Sequence, residues 1–260
     1  MRVMRSMIER GDARIEVLAQ GDGPPVVLIP SLGRGAEDFE DLANRLAAAS
    51  HRALRPQPRG IGASRGPMHG ITLHDYARDM AAVIENNGGG PAVMAGHAFG
   101  NFVARATAAD FPQLVKAVAL LGATHVWPVP PDVRASINKS HDMSLPEEER
   151  IRCMKHAFFA PGNDPRVWLG GWHEEVMHAE REATEATPKP EWWMAGRAPV
   201  LDVQPAQDVM TPPGARNRYR DEFGADRVTM TLIPGAAHAL LPEQPEAVAK
   251  ALIDYLNKLK

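Results

Sequence analysis

The pentapeptide Gly96-His97-Ala98-Phe99-Gly100 has the shape of Gly-x-Ser-x-Gly, the turn that presents a catalytic serine, but an alanine stands at its centre. It follows an apolar run typical of a strand and precedes residues whose apolar side chains recur on one face of a helix. Glycines in a sharp strand-to-helix turn allow the two elements to approach closely, and the residue at the tip is lifted clear of the backbone. We therefore predict a turn that displays a side chain, with the methyl group of Ala98 in that position.

The rest of the chain predicts the elements that must position this turn. Strand patterns fall at residues 13–20, 26–30, 52–56, 92–95, 115–121, 200–203 and 228–233, and helical patterns at 37–49, 73–86, from Phe99 onward, near 213–223 and at 243–259. Such alternation predicts an α/β fold with a mostly parallel, doubly wound sheet and helices on both of its faces.

The alternation stops at residue 126 and resumes near residue 197. The segment between is mostly helical, and it contains all five tryptophans. We predict that residues 1–125 and 197–260 form the two parts of one core, and that residues 126–196 form an inserted helical cap (lid). Because parallel sheets bind ligands beyond the carboxyl ends of their strands, we expect the cap to lie over that edge.

With this alternation, four stretches make the chain resemble α/β-hydrolase-fold proteins with a helical cap, of the esterase, lactonase and C–C hydrolase kind. They are the turn at Ala98, the loop at 30–33 after an early strand, Asp208 ahead of a proline pair, and His238 in the loop after the strand at 228–233. The resemblance covers almost the whole chain, and the three positions follow the order nucleophile, acid, histidine.

The resemblance implies a role for each stretch. His238 is the catalytic base, Asp208 orients its imidazole, and Ala98 occupies the nucleophile position. The backbone N–H groups of Leu32 and Phe99 form an oxyanion hole, which stabilises negative charge on an attacked carbonyl oxygen.

An alanine cannot attack a carbonyl, and loss of the serine in such a site typically costs about 10⁶ in kcat. Three interpretations stay open. Ala98 is an engineered replacement of serine that traps a substrate, which the retained Asp208 and His238 favour. Alternatively, Ala98 is native and the His238–Asp208 pair is a general base that activates water or deprotonates the substrate without a covalent intermediate. In the third, the chain is a non-catalytic protein that binds a small molecule.

Aromatic residues in and around the predicted cap indicate the substrate. Their concentration over a site favours a mostly apolar pocket and a medium-sized hydrophobic or aromatic ester or lactone. No arginine cluster in the sequence points to an anionic substrate. The residues predicted to contact substrate are Ser31, His125, Trp127, Phe158, Trp168, Trp172, Trp192 and Trp193.

Composition and charge argue against several other classes of protein. The 260 residues carry a net charge of −3 and no basic cluster with interleaved aromatics, so no nucleic-acid partner is expected. No apolar run is long enough for a signal peptide or a membrane span. The single cysteine, Cys153, fits a reducing, cytoplasmic compartment. We expect no metal and no cofactor, a small hydrophobic molecule as partner, and an oligomeric state that the sequence leaves open, a homodimer included.

Overall fold

A computed structural model describes residues 2–123 and 129–259. Its centre is an eight-stranded sheet, and the strands are β1 (Met4–Arg10), β2 (Ala13–Gln20), β3 (Pro25–Ile29), β4 (Arg52–Pro56), β5 (Ala92–His97), β6 (Val115–Leu121), β7 (Val200–Pro205) and β8 (Val228–Ile233). Their order across the sheet is β1-β2-β4-β3-β5-β6-β7-β8. The pairs β1–β2 and β2–β4 are antiparallel, and the pairs from β4 to β8 are parallel. The predicted α/β fold with a mostly parallel sheet is confirmed.

Helices cover both faces of this sheet. In the described residues they are α1 (Glu40–Ala48), α2 (Leu73–Asn86), α3 (Gly100–Asp110), α4 (Pro131–Ser140), α5 (Glu147–Ala157), α6 (Glu174–Glu185), α7 (Lys189–Trp192), α8 (Arg218–Phe223), α9 (Leu240–Glu243) and α10 (Pro245–Lys258). α2 and α3 pack on one face, and α1 and α10 on the other. None of these helices is both long and apolar enough to cross a membrane.

The central strands bury both of their faces, which explains their continuous apolar runs. In β3, Val27 and Ile29 belong to the core under α2 and α3, whereas Val26 and Leu28 belong to the core under α1 and α10. Successive side chains of a strand point to opposite faces, so one short apolar run supplies two cores. The carboxyl ends of these parallel strands meet at one edge, where the turn at Ala98 lies.

The structure differs from the predicted elements in three places. β1 was not predicted because only one of its residues, Ile8, is fully buried on this edge strand. The helix predicted at 243–259 begins at Pro245 as α10, and Glu243 is instead the last residue of the short helix α9, because Pro245 disfavours a helical backbone at Gln244, where φ is −138°. The helix predicted near 213–223 is a 3-10 turn at Pro213–Ala215 followed by α8.

Helices α4 to α7 lie between β6 and β7 in the chain and form the predicted helical segment. Part of it packs around a third apolar cluster that includes Met154, Phe158 and Trp168. Met210 and Ala239, from the loops that follow β7 and β8, belong to the same cluster. This segment is therefore packed against the edge of the sheet that carries Asp208 and His238.

Candidate active site

Ala98 lies at the tip of the turn between β5 and α3, in the left-handed region with a φ of 47°. A residue with a side chain held there costs on the order of 1 kcal/mol. A Cβ atom added to Gly96 would overlap the backbone of Gly100, and one added to Gly100 would overlap the carbonyl group of Ile29. Both glycines are thus required by close backbone contact, and the sharp turn inferred from the motif is present.

Asp208 and His238 lie together beside this turn although they come from different loops. Nδ1 of His238 is 3.0 Å from Oδ2 of Asp208, and both side chains are buried. The other oxygen, Oδ1, accepts a hydrogen bond of 2.8 Å from the backbone N–H of Met210, which fixes the carboxylate. Because an ionised carboxylate only accepts hydrogen bonds, Nδ1 of a neutral imidazole carries the proton and Nε2 is left as its basic nitrogen.

The histidine loop is held by two groups that the sequence reasoning did not single out. Nε2 of the fully buried His97 donates a hydrogen bond of 2.8 Å to the carbonyl oxygen of His238. Burial, and secondarily the neighbouring His238, lowers the pKa of His97 to about 3, so its ring stays neutral. Glu243 accepts hydrogen bonds from the backbone N–H groups of Ala237, at 2.7 Å, and Ala160, at 2.6 Å. The loop is therefore bound both to the turn below it and to the inserted segment.

The loop after β3 contains Leu32, the residue predicted to supply part of the oxyanion hole. Its neighbour Gly33 has a φ of 64° and donates its N–H to Oε2 of Glu180 on α6, at 2.7 Å. The carbonyl oxygen of Gly33 accepts a hydrogen bond from the N–H of His173, at 2.9 Å. The guanidinium of Arg34 lies 4.7 Å from the ring centroid of Trp172. The loop is thus positioned by contacts from the inserted segment.

Glu180 is unusual because it is a carboxyl group in an apolar place. Only 1% of the residue is exposed, and burial raises its pKa to about 8. The N–H of Gly33 opposes this rise only in part. At neutral pH the group is therefore mainly protonated, in the same way that an apolar site keeps other buried carboxylic acids neutral.

A cavity of about 480 Å³ connects these parts. Most of its wall is apolar or aromatic. The predicted site residues that line it are Ser31, Leu32, Ala98, Phe99, Phe158, Trp168, Trp172 and His238. Ala98, His238 and both residues of the predicted oxyanion hole thus face one cavity, while Asp208 lies behind His238.

Two predicted substrate-binding residues do not line this cavity. Trp192 and Trp193 pack beside the fully buried Arg105 of α3, whose guanidinium lies 4.8 and 4.5 Å from their ring centroids. The indole N–H of Trp193 also donates to Glu222, at 2.6 Å. Their aromatic rings stabilise a buried cation and the packing of α7, so the structure places them outside the cavity where substrate contact was expected. His125 and Trp127 lie outside the described residues.

The cavity is also lined by several polar side chains that were not predicted from the sequence. They belong to α4 and α6 and include Arg134, His141 and Arg181. The two arginines lie far apart in the chain, so no cluster was visible in the sequence. The spacing of these residues shows which of them share a helix face, but it does not show whether that face points toward the cavity.

Comparisons with known proteins agree with this architecture. The sequence family of the alpha/beta hydrolase fold matches residues 24–148. BpoC of Mycobacterium tuberculosis, a candidate non-heme bromoperoxidase, is 26% identical over 259 residues, covering 92% of this chain and 96% of that protein. RutD of Variovorax paradoxus, a candidate carbamate hydrolase, is 25% identical over 259 residues, covering 94% of this chain and 96% of that protein.

Solved structures share the fold over the full length. A thermophilic esterase from Thermogutta terrifontis superposes with a TM-score of 0.77 at 20% identity, covering 100% of this chain and 99% of the esterase. An esterase from Exiguobacterium antarcticum gives a TM-score of 0.79 at 18% identity, covering 98% of this chain and 100% of the esterase. At these identities the likeness concerns the fold alone. The sheet order, the family match over residues 24–148 and the shared fold together show that the chain has the α/β-hydrolase fold.

Proposed function

We propose that the cavity is the active site of a hydrolase for a medium-sized, mainly hydrophobic or aromatic ester or lactone. The observation that carries the proposal is that Ala98 and the His238–Asp208 pair converge on one cavity. Its volume, about 480 Å³, is that of a typical small-molecule site. The rings of Trp168 and Trp172 favour an apolar ligand. The candidate carbamate hydrolase among the relatives supports the reaction class.

Nucleophilic hydrolysis in this cavity needs an oxygen at position 98. A serine hydroxyl there would pass its proton to Nε2 of His238 and attack the carbonyl carbon of the substrate. The N–H groups of Leu32 and Phe99 would stabilise the oxyanion. Ala98 supplies no nucleophile, so no acyl-enzyme forms at this position in the chain as it stands. The strained turn, the base and its carboxylate are all retained, which supports a Ser-to-Ala replacement in an otherwise complete site.

We assign the role of a cap to residues 126–196, with the core formed by residues 1–125 and 197–260. Supporting this division, α4 and α6 supply one wall of the cavity, and the turn at Ala98 supplies another. Substrate selection is then a property of the inserted helices, whereas the reacting groups belong to the sheet.

Replacing Ala98 by serine tests the hydrolase proposal. The A98S variant is expected to hydrolyse p-nitrophenyl butyrate at least about 10³-fold faster than the chain with Ala98, because such a serine typically contributes about 10⁶ in kcat. Mass spectrometry of A98S mixed with the ester should detect an acyl adduct, whereas the chain with Ala98 should show none. The double variant A98S/H238Q should lose the gain. A folded A98S protein that hydrolyses no faster than the chain with Ala98 contradicts the proposal.

A second function, general-base catalysis without a covalent intermediate, is favoured by one observation. The hydrogen bond between Asp208 and His238 is present although position 98 carries only a methyl group. In that case the native chain should turn over an ester or lactone slowly, and His238→Gln should abolish this turnover. His69→Gln, an exposed histidine elsewhere, is the matched control. If the native chain and H238Q bind ligand equally and neither turns it over, the chain is a binding protein.

A further inference from the structure

Two helices of the inserted segment carry polar side chains into the cavity at helical spacing. Along α4 and its C-terminal cap the lining residues recur every three or four positions, as do those along α6. Residues so spaced share one face of a helix, so each helix presents a single inward face. The lining residues on these faces are Arg134, Ile137, Asn138, His141, Met177, Arg181, Thr184 and Glu185.

Arg181 is a cation without a direct partner in the described part of the chain. Within residues 2–123 and 129–259 it has no hydrogen bond and no carboxylate within ion-pair distance, although it is half-buried. Burial, and secondarily the nearby charge of Arg134, lowers its pKa, while Glu185 acts weakly in the opposite direction. A partly desolvated guanidinium that has no anionic partner is an unfavourable arrangement, and a nearby positive charge makes it more so.

His141 supplies a second, independent observation that points to a ligand-binding role for this wall. Only 7% of the residue is exposed, it lines the cavity, and neither ring nitrogen has a hydrogen-bond partner in the described residues. Burial, and then the charge of Arg181, lowers its pKa, so the ring is neutral at pH 7 and offers one N–H donor. A buried polar group left unpaired costs about 1–3 kcal/mol, which a ligand with an acceptor atom would recover.

We infer that Arg181, with Arg134 and His141, forms a subsite for a carboxylate carried by the ligand of this cavity. The inference rests on the proposed function, because it names the substrate class of the same site: an ester or lactone that also bears a carboxylate. Arg181 contributes to this wall one positive charge that has no carboxylate within ion-pair distance in residues 2–123 and 129–259. One carboxylate neutralises it, whereas a phosphate dianion would leave a surplus of negative charge. The planar guanidinium also matches a carboxylate in geometry.

A binding experiment on the native chain tests the subsite without any turnover. The ligands are 4-phenylbutanoate and its neutral amide, 4-phenylbutanamide, titrated at pH 7 and low ionic strength by calorimetry. The acid is expected to bind about ten- to a hundredfold more tightly than the amide, as hydrogen bonds to charged groups allow. Added salt should weaken only the acid. Equal affinity for the two ligands, or tighter binding of phenyl phosphate than of the acid, overturns the inference.

Variants then assign the preference to Arg181. Arg181→Met retains most of the apolar length of the side chain and should reduce the acid-to-amide ratio by at least about tenfold. Arg166→Met removes an exposed arginine of the same segment that does not line the cavity, and it should keep the native ratio. If R181M keeps the native ratio, Arg181 does not hold the carboxylate. If R181M does not fold, the acid-to-amide ratio of the unsubstituted chain and its salt dependence still test whether the cavity prefers a carboxylate.

Kinetics in the A98S background separate this inference from the proposed function. The p-nitrophenyl monoester of glutaric acid should have a higher kcat/KM than p-nitrophenyl butyrate, and R181M should remove that difference while neutral-ester hydrolysis persists. If A98S hydrolyses neutral esters but shows no preference for the acid in binding or turnover, the subsite fails and the hydrolase proposal stands. If A98S hydrolyses nothing while the native chain prefers the acid, the subsite stands and the hydrolase proposal fails.

Discussion

Replacing Glu180 by glutamine is expected to stabilise the protein at alkaline pH. Glu180 is buried, its Oε2 accepts the N–H of Gly33, and burial raises its pKa to about 8. Glutamine retains an amide oxygen that can accept the same hydrogen bond, but it cannot ionise. The substitution therefore removes a titration while the contact between α6 and the loop at Gly33 is kept.

The magnitude follows from the two pKa values of the carboxyl group. Its ordinary pKa of 4.5 applies to the unfolded chain, and the value of about 8 applies to the folded protein. Below pH 4.5 the carboxyl group is protonated in both the folded and the unfolded state, so its ionisation does not affect the free energy of unfolding. Between these values the unfolded chain releases a proton that the folded protein retains, so the free energy of unfolding falls by about 1.4 kcal/mol per pH unit. The loss is about 3 kcal/mol at pH 7 and on the order of 5 kcal/mol above pH 8.

Urea unfolding followed by tryptophan fluorescence at pH 5, 7 and 8.5 measures this effect. The difference in unfolding free energy between E180Q and the wild type should increase steadily with pH and reach several kcal/mol at pH 8.5. Glu182→Gln is the matched control, because Glu182 lies on the same helix but is exposed and bonded to His69. The assignment of a neutral buried carboxyl group would be refuted if the difference in unfolding free energy between E180Q and the wild type did not change with pH. It would also be refuted if E180Q were the less stable protein at pH 8.5.

Three further outcomes follow from the same structure. Gly100→Ala should lower the free energy of unfolding, measured by urea titration, by at least about 3 kcal/mol, because its Cβ would overlap the carbonyl of Ile29. Gly90→Ala is the control, because a Cβ there would lie in open space, and it should change the free energy of unfolding by less than about 0.5 kcal/mol. Asp79→Asn should destabilise the protein by about 3–5 kcal/mol in the same assay, since Asp79 forms a 2.7 Å ion pair with the buried Arg59. The exposed pair partner Asp254 provides the control, and D254N should cost less than about 1 kcal/mol. Glu243→Gln in the A98S background should lower kcat/KM for p-nitrophenyl butyrate about tenfold, because one of its two backbone contacts beside His238 is lost; an unchanged value would show that Glu243 does not position the histidine loop.

The parts of the fold that the sequence predicted are those set by local physics. Apolar runs such as residues 26–30 and 115–121 predict buried strands because a parallel sheet covered on both faces demands continuous apolar side chains. The turn at Ala98 was predictable because Gly96 and Gly100 have a steric reason to be glycine. β1 escaped prediction because an edge strand exposed to solvent carries no such pattern.

The charged wall of the cavity was not predictable for a different reason. Arg134 and Arg181 come near each other only because α4 and α6 turn particular faces toward one space, and sequence spacing within each helix does not fix that rotation. Trp192 and Trp193 were predicted to contact substrate, but they do not line this cavity. Aromatic composition alone does not tell a ligand-contacting ring from one that packs on a buried cation such as Arg105.

Two adjacent residues of α6, Glu180 and Arg181, have different roles. At about 100° per residue, Met177, Arg181 and Thr184 share the face toward the cavity, whereas Glu180 points from the neighbouring face to the loop at Gly33. The helix therefore supports the predicted oxyanion loop through one residue and the proposed carboxylate subsite through the next. Since the two contacts differ in kind, E180Q should alter the pH dependence of unfolding and leave the acid-to-amide ratio intact, whereas R181M should do the reverse. A single substitution that changed both quantities together would contradict this separation and would mean that α6 moves as a unit.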